Sequence, residues 1–161
     1  MDTIQKEPGD DSLREEYKKT IKREITKKIG SMTILVSEDT YDKALTAFNI
    51  GVAGIEMGMD VTMFFTARGV NIMKKAYRPR RARFGEAPIA WKENSIKKRG
   101  GAVLAQLMYQ AKDMGVHLCV CYTSLVSTNL NESTLLDGIK VMRMVEFLEL
   151  TLHSDVNLVI G

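Results

Sequence analysis

Two strand-length apolar runs, separated by one helix-length amphipathic segment, constrain this chain more than any other feature. Met32 to Ser37 (Met-Thr-Ile-Leu-Val-Ser) and Asp60 to Phe65 (Asp-Val-Thr-Met-Phe-Phe) are nearly continuous in apolar residues. Such runs mark strands covered on both sides. Between them a polar turn, Glu38-Asp39-Thr40, leads into a helical period from about Tyr41 to Met57, with Ala44, Leu45, Phe48, Val52 and Ile55 facing inward and Gly58 as the stop. A strand, helix and strand of these lengths close into a right-handed βαβ unit, so the sheet is expected to be parallel.

The remainder extends the same alternation. After Thr66-Ala67-Arg68-Gly69 a short helix is expected around Val70 to Lys75. Residues 76–95 carry Pro79, Gly85 and Pro88 without an apolar period and read as a long loop, with Arg78, Arg80, Arg81 and Arg83 in its first half and Trp91 in its second. Gly100-Gly101 precedes an amphipathic helix from Val103 to Met114, and Gly115 ends it. Val116-His117-Leu118-Cys119-Val120-Cys121 then alternates as a buried strand. A polar loop is expected over Tyr122 to Leu130. A helix from about Glu132 to Leu152 should bury Leu135, Leu136, Ile139, Met142, Met144, Phe147 and Leu148, and Asp155 to Ile160 forms a last strand.

At the other end, Ser12-Leu13-Arg14-Glu15 offers a capping box, and Leu13, Tyr17, Ile21, Ile25 and Ile29 follow at a spacing of four. A spacing of four drifts about 40° per step, so this stripe winds around its helix and suits an appendage lying across a domain or a neighbouring subunit. The expected organisation is an N-terminal helical extension over 1–30 and one α/β domain over 31–161. That domain is three-layered, with a parallel sheet of four to five strands and helices on both faces.

The chemistry of the chain concentrates in the cysteine strand. Cys119 and Cys121 are its two cysteines, too few for a disulfide framework. Both point to one face. In an open parallel sheet, ligands gather beyond the carboxyl ends of the strands, where Cys121 lies. The start of the following helix can hold it as a thiolate. Cys119 is about 6.6 Å deeper along the strand and should be desolvated. A purely structural role for Cys121 stays open at this point, because free cysteine is commonly buried. His117 is deeper still and reads as a core or helix contact.

One histidine beside a Cys-x-Cys is too few ligands for structural zinc, and neither a Gly-x-Gly-x-x-Gly turn nor a phosphate-binding loop follows any strand. No metal or cofactor is therefore expected. Ser37 and Ser124 lack an evident His-Asp pairing. The arginine loop could collect anions such as thiosulfate or dock an acidic partner. The net charge of +3 is too small to indicate nucleic-acid binding, and the aromatic interleaving of a base-stacking platform is missing. No apolar run approaches the roughly 18 residues of a membrane span, and no secretion signal is evident, so the expected location is the cytoplasm.

From Met32 to Gly161 the chain resembles the DsrE/DsrF/DsrH-like sulfur-relay family, in the branch often labelled peroxiredoxin-like. Three stretches carry the resemblance: Met32 to Ser37; Gly58 to Thr66 running into Gly69-Val70-Asn71-Ile72-Met73-Lys74-Lys75; and Gly115 to Cys121 followed by Leu135-Leu136-Asp137-Gly138-Ile139. It implies a flavodoxin-like DsrE/F fold, a homo-oligomer, and a sulfur carrier or sulfurtransferase. The family's recurring cysteine falls on Cys121. In relatives that thiol takes up sulfane sulfur from inorganic donors, as a persulfide or thiosulfonate, and passes it to small carriers resembling TusA or DsrC.

On that reading Cys119, Thr123 and Ser124 are auxiliary, the latter two through backbone N–H groups near the anion. Arg68, Arg78, Arg80, Arg81 and Arg83 would steer the donor or carrier. The chain departs from many relatives after the cysteine, with Tyr122-Thr123-Ser124-Leu125 in place of a Met-Ser-Met stretch. Ser127, Thr128 and Asn129 stand where some relatives have a second cysteine, so a two-thiol mechanism would need Cys119. The alternatives are a thiol redox sensor or peroxidase, and a non-catalytic assembly subunit of a relay.

Overall fold

The computed structural model describes residues 29–81 and 86–161. The expected N-terminal helix and Arg83 lie outside the described residues. Five parallel strands form one sheet: β1 (Gly30–Val36), β2 (Met59–Phe65), β3 (His117–Cys121), β4 (Lys140–Met142) and β5 (Val156–Ile160). Their spatial order is β4-β3-β2-β1-β5. The chain steps outward from β1 to β4 one strand at a time, then crosses the whole sheet to add β5 beside β1.

Helices cover both faces. Beneath one face lie α1 (Tyr41–Glu56) and α3 (Leu104–Asp113). They bury Ala44, Ala47, Phe48, Val52, Leu104, Leu107 and Ala111 against alternate residues of β1, β2 and β3, including Ile34, Val36, Met63, Phe65, Leu118 and Val120. Phe48 stacks on Phe65 with ring centres 5.9 Å apart. The opposite face has a smaller cluster: Phe64, Cys119, Cys121, Met142 and Phe147, with Leu35 packed against it. Its cover is α5 (Met144–Leu152), the crossover from β4 to β5. None of the described helices is long and apolar enough to cross a membrane.

Four expected elements need correction. The helix expected over Glu132 to Leu152 is instead a 3-10 turn (Glu132–Thr134), the strand β4 and the shorter helix α5. Gly138 takes a φ of +80°, which breaks any helix there. The free edge of β3 then recruits Lys140, Val141 and Met142 as ladder partners. Arg143 restarts the helix, its N–H donating to Glu146 Oε2 at 2.7 Å. Met144 and Leu148, expected inside, are consequently exposed.

The loop expected over 76–95 gives way at Ile89 to α2 (Ile89–Lys98). This helix buries no residue fully and holds Trp91 71% exposed, so no strong apolar period announces it. Tyr122 to Leu130, expected as loop, begins with the six-residue helix α4 (Tyr122–Ser127) directly after Cys121. The short helix expected at Val70 to Lys75 is a 3-10 helix displaced toward the sheet (Ala67–Met73).

Candidate functional site

Cys121 is the last residue of β3 and the residue on which α4 starts. The register pairs Phe65 with Val120 and Val120 with Val141. One step further along, Thr66 stands opposite Cys121, and Met142 flanks it on the β4 side. Side chains at one level of a parallel sheet share a face, so Thr66, Cys121 and Met142 converge.

Ser124, one turn into α4, completes the group. Its Oγ accepts the backbone N–H of Ala67 at 2.8 Å and lies 3.1 Å from Thr66 Oγ1. Ala67 reaches this position with φ of +47°, a left-handed conformation that costs a non-glycine residue about 1–2 kcal/mol. Gly69 N–H in turn donates to Ser37 O at 3.1 Å. A Cβ on Gly69 would stand 2.2 Å from Val36 O, so only glycine lets this turn sit against the end of β1. Strain and close approach together hold Thr66 beside the thiol and the Ala67 N–H on Ser124 Oγ.

The electrostatics separate the two cysteines. Burial pushes the Cys121 thiol up, but the N–H of Ser124, the hydroxyls of Ser124 and Thr66 and the N–H of Thr123 all favour the anion. The balance brings Cys121 below the ordinary thiol range. Two of these donors, the N–H groups of Thr123 and Ser124, belong to the first turn of α4, so the helix start expected from sequence acts through individual N–H groups, and the hydroxyls of Thr66 and Ser124 add to it. Cys119 has no such donors: burial raises it, and Lys140, its neighbour on β4, offsets this only in part. Both thiols are free. Both are also buried, Cys121 at 2% exposure and Cys119 at 1%.

Of the site residues expected from sequence, Cys121, Thr123 and Ser124 come together, and Cys119 shares their apolar cluster. The arginines mostly do not. Arg80 Nη1 lies 3.3 Å from Asp39 Oδ1 at the end of β1, two strands from β3. Asp39 is buried and also accepts Asn71 Nδ2 at 3.0 Å, while its carbonyl takes the Tyr77 hydroxyl at 2.8 Å. Arg81 Nη1 donates to Glu86 O at 3.0 Å, and Arg78 is exposed. Among the described arginines of this set, Arg68 alone adjoins the site, directly after Ala67, and it pairs with Glu38.

His117 is not a core contact. It is exposed, with Nε2 3.2 Å from Asp60 Oδ1. Sequence reasoning missed Thr66 as a site residue. Its signal was its place as the first polar residue after β2, legible only once the register of β2 against β3 was known. Among the described residues, no group of three or more His, Cys, Asp or Glu side chains is placed to hold a metal ion.

Comparison with known proteins agrees with this architecture. YrkE of Bacillus subtilis (strain 168) is 26% identical over 160 residues, spanning 84% of this chain and all of that protein. The crystal structure of the YchN protein from E. coli shares the fold, with a TM-score of 0.61 over 81% of this chain and 99% of that one, at 18% identity. The model of the DsrE/DsrF-like family matches residues 30–160. The chain therefore belongs to the DsrE/DsrF-like family, a family generally related to sulfur relay.

Proposed function

We propose that this protein is a sulfur carrier or sulfurtransferase that works through Cys121. The single observation carrying the reading is the set of four donors around a strand-end thiol, from Ser124, Thr66 and Thr123, against one buried and unassisted thiol two residues away. The Cys121 thiolate attacks the outer sulfur of a sulfane donor. With thiosulfate, an S–S bond forms at Cys121, the donor S–S bond breaks with its electron pair, and sulfite leaves. The resulting persulfide anion is held by the same N–H and hydroxyl donors. It is then handed to the thiolate of a small carrier protein, of the kind resembling TusA or DsrC, which regenerates Cys121.

Arg68 is the cation placed to draw an anionic donor or acidic carrier toward this end of the sheet, once it leaves Glu38. The reading includes a cytoplasmic location and self-association. Val145, Leu148, Leu152 and Val159 are exposed apolar side chains on or beside α5 and support the latter. Sedimentation of the full chain tests it.

Incubation with thiosulfate or polysulfide should add the mass of one sulfur atom to Cys121. Cys121→Ser should abolish the gain and Cys119→Ser should keep it. An unmodified wild-type thiol after such treatment would favour a second reading, a non-catalytic assembly subunit, for which the 2% exposure of Cys121 speaks.

A further inference from the structure

A thiol 2% exposed must be reached by some route, and the structure offers one from the flank. A groove of about 360 Å³ runs between β4 and α5, lined by Lys140, Met142, Glu146, Glu149, Leu150 and His153. Met142 belongs both to this groove and to the apolar cluster that holds Cys121. It stands beside Cys121 across the β3–β4 ladder. The thiol thus lies on one side of this side chain and the groove on the other.

Two features make Met142 the yielding wall. Its side chain is unbranched and has three rotatable bonds, so it changes rotamer more cheaply than any branched neighbour. Its strand has three residues and is paired along one side only, which places it at the weakly held end of the sheet. Cys119 also has a groove-lining neighbour on β4, Lys140, but it shares the apolar cluster with Phe64 and Phe147 and has no donors to hold it as an anion.

We propose that the groove between β4 and α5 is the approach route to Cys121, that Met142 swings aside to open it, and that slender sulfur compounds pass more readily than bulky ones. The rim carries Glu146, Glu149 and Lys140, and Arg143 Nε lies 3.4 Å from Glu146 Oε2, so its charges balance and the width opened at Met142 decides what passes. A route over the end of the sheet beside Arg68 would leave changes at Met142 and Leu150 without effect. This inference rests on the reading that Cys121 reacts with incoming molecules, and it names how they arrive.

The test uses methanethiosulfonate reagents on the full chain carrying Cys119→Ser, so that Cys121 alone reacts. Two uncharged reagents are compared, one methyl and one benzyl, each relative to its rate on free cysteine. The methyl reagent should react several-fold faster on this scale, and Met142→Ala should narrow the gap. Met142→Ala should raise both rates several-fold, Leu150→Trp should lower both by filling the groove, and Tyr122→Ala at the sheet end should change neither. A melting curve of each variant separates opening from unfolding, and Leu150→Trp acts on an already exposed position.

A benzyl reagent as fast as the methyl one on this scale, rates indifferent to both Met142→Ala and Leu150→Trp, or no reaction in any variant overturns the route. Reaction through the groove combined with no uptake of sulfur from sulfane donors would keep the route and overturn the sulfur-relay reading.

Discussion

On one face of the sheet, α1 and α3 press Phe48, Val52, Leu104 and Leu107 into the gaps between β1, β2 and β3. On the other, α5 contributes Phe147 as its one buried side chain and leaves Val145, Leu148 and Leu152 outward, Leu152 at 82% exposure. The well-covered face holds hydrocarbon. The thinly covered face holds both thiols and the hydroxyls of Thr66 and Ser124 near its edge. The contrast teaches a division of labour: cooperative stability comes from the layer of α1 and α3, while the reactive sulfur lies where local opening costs least.

The sharpest way to break that contrast is to remove the same side chain from each face. Phe48→Ala should cost toward the top of the roughly 3–5 kcal/mol range for buried phenylalanine, because it is enclosed on all sides and stacked on Phe65. Phe147→Ala should fall toward the bottom, since α5 can settle into the space left beside Phe64. Urea denaturation reads both. Equal losses would erase the distinction between the faces.

Ser124→Ala comes next. It removes the acceptor of the Ala67 N–H and should cost about 1–3 kcal/mol. It also strips donors from the Cys121 thiolate. Because Cys121 lies below the ordinary thiol range, its alkylation by iodoacetamide should reach half its maximal rate at a lower pH than a free thiol. Ser124→Ala should move that midpoint upward, so the rate at neutral pH falls. Thr66→Val should move it the same way by less. By linkage, the lowered Cys121 stabilises the fold above the ordinary thiol pKa, and the contribution is lost as pH falls through the folded value. Ser124→Ala should flatten this dependence.

Cys119 sharpens the comparison from the other side. Burial raises it, so it stays a neutral thiol through the pH range in which Cys121 ionises. The wild-type alkylation profile should therefore show one step below the ordinary thiol range, unchanged in Cys119→Ser. A second early step would mean that the deeper thiol is also activated.

The smallest effect is expected outside α5. Leu148→Gln and Leu152→Gln should each change the stability of the isolated chain by no more than about 0.5 kcal/mol, because both side chains already face solvent. A larger loss that depends on protein concentration would show that this stripe is covered in an assembly.

Much of the architecture was legible because β1, β2 and β3 are short apolar runs and α1 and α3 repeat at helical spacing. Burial on both sides leaves such segments little choice of state. The stretch from Glu132 to Leu152 misled for the converse reason. Leu135, Ile139, Met142 and Phe147 sit at helical intervals, yet the unpaired edge of β3 and the turn at Gly138 decide their conformation. Helix α2 was hidden because a helix that buries nothing completely leaves no clear periodicity.

Sequence alone established a parallel α/β sheet ending on a thiol at Cys121, since apolar run length and side-chain alternation are properties of neighbouring residues. It also singled out Thr123 and Ser124, which follow that thiol in the chain. Thr66, Met142 and the strained Ala67 became its neighbours only through tertiary structure. Their positions depend on how β2, β3 and β4 align, and strand register is a long-range choice that no local pattern encodes. The same long-range packing leaves one face lightly clad, and it withdraws Arg80 to the buried charge of Asp39.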